Sequence, residues 1–180
     1  MSDWPVNVMP PLPQISPFCE DSLGNVIGAL SGAAAPLATG AIGTANRAWY
    51  FPFLVEVPCL AKKMFLINGT TAAGNVSIGI YDSEFNRIAE LTAAQTGTSV
   101  IQEFDIVDTI LLPGRYWMAV SFSNATATYF RAQPADEVMA GAGAFAQATA
   151  HPLPQTAAPS RTVSTSIDVI AMGVSFDTLI

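Results

Sequence analysis

Charge is what this sequence has least of. Its 180 residues hold 7 Lys and Arg and 14 Asp and Glu, together 12% of the chain, where soluble domains carry about 25%. So little charge leaves much of the surface to be covered by copies of the same chain or by partners. The cations Arg47, Lys62, Lys63, Arg87, Arg115, Arg131 and Arg161 are scattered, and only Lys62 and Lys63 are adjacent. Nucleic-acid binding needs a basic stripe that displaces counterions from phosphates. With none here and a net charge of −7, nucleic acid is not an expected partner. Nor is a membrane, because no apolar run approaches the ~20 residues of a spanning helix. The start, Met1-Ser2-Asp3-Trp4-Pro5, has neither a basic nor an apolar leader region, so synthesis and assembly in the cytoplasm are expected.

Histidine and cysteine are nearly missing. The base of a nucleophilic triad is nearly always His, and the one histidine, His151, sits between Ala150 and Pro152 in no motif. A surface or interface role is expected for it rather than catalysis. No phosphate-binding loop, nucleophile elbow, zinc-protease helix or dinucleotide fingerprint occurs. Cys19 and Cys59 have no neighbouring His or Cys to complete a zinc site. They read as buried or free thiols, the alternative being one disulfide tying the start of the chain to the rest. No catalytic residue, cofactor or metal is expected.

Apolar residues, by contrast, make up 51% of the chain, arranged in three zones of one domain. Residues 1–46 form an extended N-terminal arm. Pro5, Pro10, Pro11, Pro13 and Pro17 forbid helix there, and residues 22–46 lack charge and any period. Residues 47–180 form the β domain. Strands are expected at 47–57, with Trp49, Phe51, Phe53, Val55 and Val57 on one face, and at 75–81, with Val76, Ile78 and Ile80 inward. Pro52 demands an edge or a bulge. Residues 60–67 are apolar almost throughout, as in a strand covered on both faces. Further strands are expected at 87–91, 99–104, 109–112, 115–123 (Tyr116, Met118, Val120 and Phe122 sharing a face), 126–131 and 166–176, the last returning to pair with an early strand. Asn68-Gly69, Asp82–Asn86 and Pro113-Gly114 read as turns. Residues 133–160 are a long Ala/Gly/Pro-rich excursion, with one helical turn near 137–140. About eight short strands at this spacing, without helical patterns between them, predict an all-β antiparallel sandwich, jelly-roll-like.

Some residues admit more than one reading. Asp82 with Glu84, and Glu103, Asp105 and Asp108, are the densest acids. They read as turn-stabilising or solvated groups, ahead of a Ca²⁺ site and of paired catalytic carboxylates. Trp49, Tyr50, Tyr81, Trp117 and Tyr129 read as core, ahead of a sugar-stacking platform. Three Asn-x-Ser/Thr tripeptides are set aside because no secretory signal accompanies them.

Two segments together resemble a known kind of module. Residues 74–82, Gly-Asn-Val-Ser-Ile-Gly-Ile-Tyr-Asp, followed by Asn86-Arg87-Ile88, resemble a hairpin in β-sandwich modules of tailed-phage structural proteins. Residues 111–119, Leu-Leu-Pro-Gly-Arg-Tyr-Trp-Met-Ala, resemble the strand entry that follows it, and residues 47–53 resemble the first strand. The resemblance covers about half the chain. It implies a non-enzymatic virion protein, a capsid decoration (cement) protein that associates with itself, a trimer being favoured, and with the major capsid protein or other virion subunits. The alternative is a tail or head fibre module recognising host glycan. Low charge places candidate interface residues on the flanks, at Trp4, Pro11, Phe18, Leu30, Leu37, Ile42, Phe145, His151 and Leu153.

Overall fold

A computed structural model describes residues 19–21, 38–41, 43–132, 145–160 and 169–178. Among the described residues twelve strands run β1 (Cys19–Asp21), β2 (Ala38–Ala41), β3 (Ala48–Val55), β4 (Cys59–Ile67), β5 (Asn75–Tyr81), β6 (Arg87–Ala94), β7 (Ile101–Leu111), β8 (Gly114–Phe122), β9 (Thr128–Ala132), β10 (Phe145–Gln147), β11 (Val169–Ile170) and β12 (Met172–Thr178). All pairings are antiparallel, and no described residue is helical. The expected helical turn near 137–140, and the candidates Trp4, Pro11, Phe18, Leu30, Leu37 and Ile42, lie outside the described residues.

The fold is the expected β-sandwich. A four-stranded sheet, β1-β12-β4-β7, faces a five-stranded sheet, β10-β3-β8-β5-β6, and a small third sheet is ordered β11-β9-β2. The pairs β5–β6, β4–β7 and β3–β8 are nested one outside the other, as in a long hairpin rolled up, with successive pairs falling in alternate sheets. The last strand does return to early ones, pairing with β4 and β1. Alternation sorts the side chains as expected: Trp49, Phe51, Phe53 and Val55 meet Val76, Ile78, Ile80, Met118, Val120 and Phe122, and all contact Met64, Leu66, Phe104 and Val174 of the opposing sheet. Pro52 sits where β3 is an open edge, because β10 pairs only with Ala48–Tyr50. Tyr116, next to the turn between sheets, donates its hydroxyl to the Leu112 carbonyl at 2.9 Å, the corner bond used by sandwiches where a strand changes sheet.

The structure corrects four expectations. The strands expected at 99–104 and 109–112 are one strand, β7, with a register shift opposite Lys62 that breaks its alternation. Val57 lies beyond β3 and is 57% exposed. Asn68-Gly69 is no tight turn: Asn68 is buried, Gly69 has no positive φ, and a Cβ there would meet Thr128 Oγ1 at 2.5 Å. Asn68 instead centres an amide knot, donating to Thr96 O (2.7 Å) and Gln102 Oε1 (2.9 Å) and accepting from Gln95 Nε2 (2.9 Å). Cys59 is, as expected, a buried free thiol. Cys19 pairs with Ser175 on the far side of β12 from β4, so two strand spacings, roughly 9–10 Å, separate the cysteines' strands. A disulfide needs its Cα atoms within about 7 Å.

The fourth correction concerns the excursion. From the edge strand β10 the chain continues to Ser160 across the outer face of the five-stranded sheet, where Phe145, Ala150, Leu153 and Ala157 cover Ala48, Tyr50, Tyr81, Trp117 and Ala119. The hairpin at Asp82 contributes Phe85, which stacks on Trp117 at 4.7 Å between ring centres. Gly79, mid-strand in β5, makes room: a Cβ there would meet Ala89 O at 2.6 Å and Leu153 Cδ1 at 3.3 Å. Leu153, 1% exposed, is thus spent on the chain's own core and has no surface for an interface. We expect Leu153→Ala to cost about 2–5 kcal/mol in urea unfolding, the range for a buried leucine that leaves a cavity. The loss should come with faster amide exchange in β5 and β8.

Candidate functional surface

The one histidine, His151, belongs to the covering segment and reaches the sheet beneath it. Alternation aims Ser77 and Ser121 away from the main core, and β5 and β8 set them opposite each other. Both are fully buried, so each hydroxyl needs a partner. Ser121 Oγ is hydrogen-bonded to His151 Nδ1 at 3.0 Å. Ser77 Oγ donates to Glu90 Oε1 at 2.7 Å and accepts from the Leu153 N–H at 3.0 Å. A serine bonded to a histidine is the pairing of a nucleophile with its base, but this serine lies at 0% exposure under the chain's own segment. What the arrangement does is fasten. Tyr81 donates to Pro154 O at 2.5 Å, and Arg87 donates to Leu153 O and, at 3.1 Å, to Gln155 Oε1. His151 and Phe145, both candidate interface residues, are half-buried and face inward here.

The other candidate chemistry also resolves into structure. Trp49, Tyr50, Tyr81, Trp117 and Tyr129 are all 0–4% exposed, so the sugar-stacking reading fails: no ring face is left to a ligand. Asp82 Oδ1 accepts from the Glu84 and Asn86 N–H groups at 2.9 and 2.8 Å, the expected turn. Glu103 pairs with Lys63 at 2.7 Å on an exposed face. Among the described residues no set of three or more His, Cys, Asp and Glu can hold a metal.

The unspent surface is the outer face of the four-stranded sheet. β4 sends Cys59, Ala61, Met64 and Leu66 into the core and turns Leu60, Lys63, Phe65 and Ile67 outward, where Leu60, Phe65 and Ile67 stay partly exposed. Across the ladder, Leu60 opposes Ile110 and Ile67 opposes Ile101, the two isoleucines being 60% and 62% exposed. Val107, where the register shifts, is 76% exposed. β7 is the open edge strand of this sheet, and it sets acids on the same face: Glu103 opposes Phe65 and Asp105 opposes Lys63, with Asp108 at the register shift. None of these apolar residues was among the candidates taken from the flanks. Their signal was the apolar run at 60–67, whose second face this is.

Burial pushes the His151 imidazole below its ordinary value, its Ser121 bond and Glu90 acting the other way. A depressed histidine leaves the unfolded chain binding more protons below about pH 6.5. The contribution is complete above that value and fades as the pH falls below it. Burial likewise raises the Tyr50 hydroxyl to about 12 and Tyr81 still further. Their contribution is complete below about pH 10 and fades as the pH rises above it. The melting temperature should therefore fall on both flanks, and His151→Asn should flatten the acid flank alone. Tyrosinate absorbance should show Tyr50 and Tyr81 ionising only on alkaline unfolding.

No family model matches this sequence, and no curated protein matches it. Among solved structures, the pre-peptidase C-terminal domain of a collagenase from Bacillus anthracis is 15% identical with a TM-score of 0.35, covering 53% of this chain and 85% of that one. The structure of infectious bursal disease virus, Gt strain, is 12% identical with a TM-score of 0.30, covering 80% of this chain and 39% of that one. Likenesses this distant carry no argument about what the chain does.

Proposed function

We propose that this chain is a non-enzymatic structural subunit of a tailed-phage virion, a capsid decoration protein that associates with itself and with the capsid. One observation carries the reading. Strand β4 is apolar on both faces, and the chain lays a covering segment over its other sheet but leaves Leu60, Phe65, Ile67, Ile101 and Ile110 partly exposed on this one. A sheet face of this kind, beside an open edge strand of 11 residues, marks a place of association. The hairpin and strand-entry motifs of residues 74–88 and 111–119 supply the virion context.

The contact moves accordingly. The flanks were the expected sticky parts, but their described stretches, 19–21, 38–41 and 145–160, lie on the chain's own sheets. The acids argue for a ring over a two-fold pair. Two β7 edges meeting about a two-fold axis would set Glu103, Asp105 and Asp108 against the same three residues, a destabilising arrangement of like charges. A heterologous contact closing a trimer sets this face against a different surface.

Sedimentation of the purified chain should give a trimer. Val107→Lys with Ile110→Lys should weaken association at least tenfold, about 1.4 kcal/mol per contact, while each exposed change alters the subunit's own stability by less than about 0.5 kcal/mol. Added to undecorated heads, the native chain should appear as ordered density in electron micrographs and raise their resistance to heat. A chain that stays monomeric at high concentration and leaves bare heads undecorated refutes the proposal.

A further inference from the structure

The chain has one Asn-Gly pair, Asn68-Gly69, and Asn-Gly is the dipeptide most prone to lose its side-chain amide. The glycine nitrogen, unhindered because no Cβ stands beside it, gives its proton to water and attacks the asparagine Cγ. A Cγ–N bond forms, the Cγ–Nδ2 bond breaks, and ammonia leaves behind a cyclic succinimide. Water then opens the ring at either carbonyl, to aspartate or to isoaspartate, and no oxidant or reductant is needed.

In the folded chain the atoms of that reaction are all engaged. Asn68 and Gly69 are both buried. The Gly69 N–H, whose proton must leave, donates to Thr128 O at 2.9 Å. The backbone around it is fastened too, with the Asn68 N–H donating to Val100 O at 2.9 Å and the Ser99 N–H to Gly69 O at 2.7 Å. The leaving nitrogen, Nδ2, donates to Thr96 O and Gln102 Oε1, and Oδ1 accepts from Gln95 Nε2. Groups held this way meet solvent only when the structure opens.

The product fits the same place badly. In aspartate the nitrogen becomes a second oxygen, facing Thr96 O and Gln102 Oε1, which are both acceptors. Gln102 cannot turn its amide to help, because its Oε1 also accepts from the Thr96 N–H at 2.9 Å and its Nε2 donates to Ala94 O at 2.8 Å. A buried carboxylate facing lone pairs is left unpaired, at a cost to the folded state. Isoaspartate adds a carbon to the main chain and breaks the register of Gly69 with Thr128.

We propose that Asn68-Gly69 is a modification site that unfolding alone opens and whose product the fold does not readmit, so that deamidation marks and retires a subunit that has unfolded. This inference does not depend on the virion reading.

Peptide mass spectrometry of the full-length chain, aged in mildly alkaline buffer across a urea series, tests it. Asn68 should deamidate at least about a thousandfold more slowly in native buffer than in the unfolded chain, in keeping with the small unfolded population of a stable domain. Between these limits the rate should climb along the global unfolding curve. Isoaspartyl methyltransferase should label the product made in urea, as succinimide chemistry requires. Asn68→Asp, made directly, should lower the urea midpoint, while Asn75→Asp, which adds the same charge at an exposed position, should leave it nearly unchanged. A native rate above that limit overturns the proposal, as does a rate that stays flat while urea approaches the transition, since local opening then suffices. An Asn68→Asp chain as stable as the native one overturns the claim that the product is not readmitted.

Discussion

The constraint behind most of this structure is that the five-stranded sheet is apolar on both faces. From Val76 to Tyr81 in β5, and from Trp117 to Phe122 in β8, every residue is buried. The opposing sheet covers only one of those faces, so the chain must supply a second cover, and residues 145–160 are that cover. Local features follow from it. Gly79 has no side chain because a Cβ would meet the Ala89 carbonyl and, less closely, Leu153 of the cover. Ser77 and Ser121, caught under the cover, need Glu90, the Leu153 N–H and His151 to satisfy them. The single histidine is accounted for by a buried hydroxyl.

This explains which parts of the fold were legible in the sequence. Strands β3, β5 and β8 stood out because their core-facing positions alternate with smaller or polar residues. The same alternation misled about the other face, since Ser77, Gly79 and Ser121 look solvent-facing until something is known to lie on them. Only their mates betray it: Tyr50, Tyr81 and Trp117 occupy that face too, and large aromatics there ask for cover. The cover itself has no period, because it crosses the sheet mostly as irregular chain, so nothing in residues 145–160 separated inward Leu153 from outward neighbours. β7 looked like two strands because its register shift interrupts the period that identifies a strand. Asn68 looked like a turn residue because its partners, Gln95, Gln102 and Thr96, come from distant sequence.

The candidate surface was legible in one place and misassigned in another. Low charge correctly signalled apolar area beyond a single core, and the flanks seemed its natural location because they carry almost no charge. Part of that composition serves the chain's own cover. The run at 60–67 was the better guide. Read as a strand buried twice, it implies a second cover, and the outward side chains of β4 remain the place where the described chain provides none.

The two sheets thus differ in how far the chain completes them. One outer face is closed by covalently attached cover, held by backbone bonds, a serine–histidine pair and stacked rings. The other bears aliphatic pairs, Leu60 with Ile110 and Ile67 with Ile101, and between them Glu103 and Asp105 of the open edge strand. Acids on an edge strand oppose stacking against identical edges, while aliphatic pairs on its face favour a partner of different shape. A surface that repels its own copy edge to edge and still loses apolar area to a dissimilar neighbour suits ordered assembly better than open-ended association. That mixture of acids and aliphatic pairs on one edge strand, more than the amount of apolar area, separates a building block from an aggregation-prone sheet.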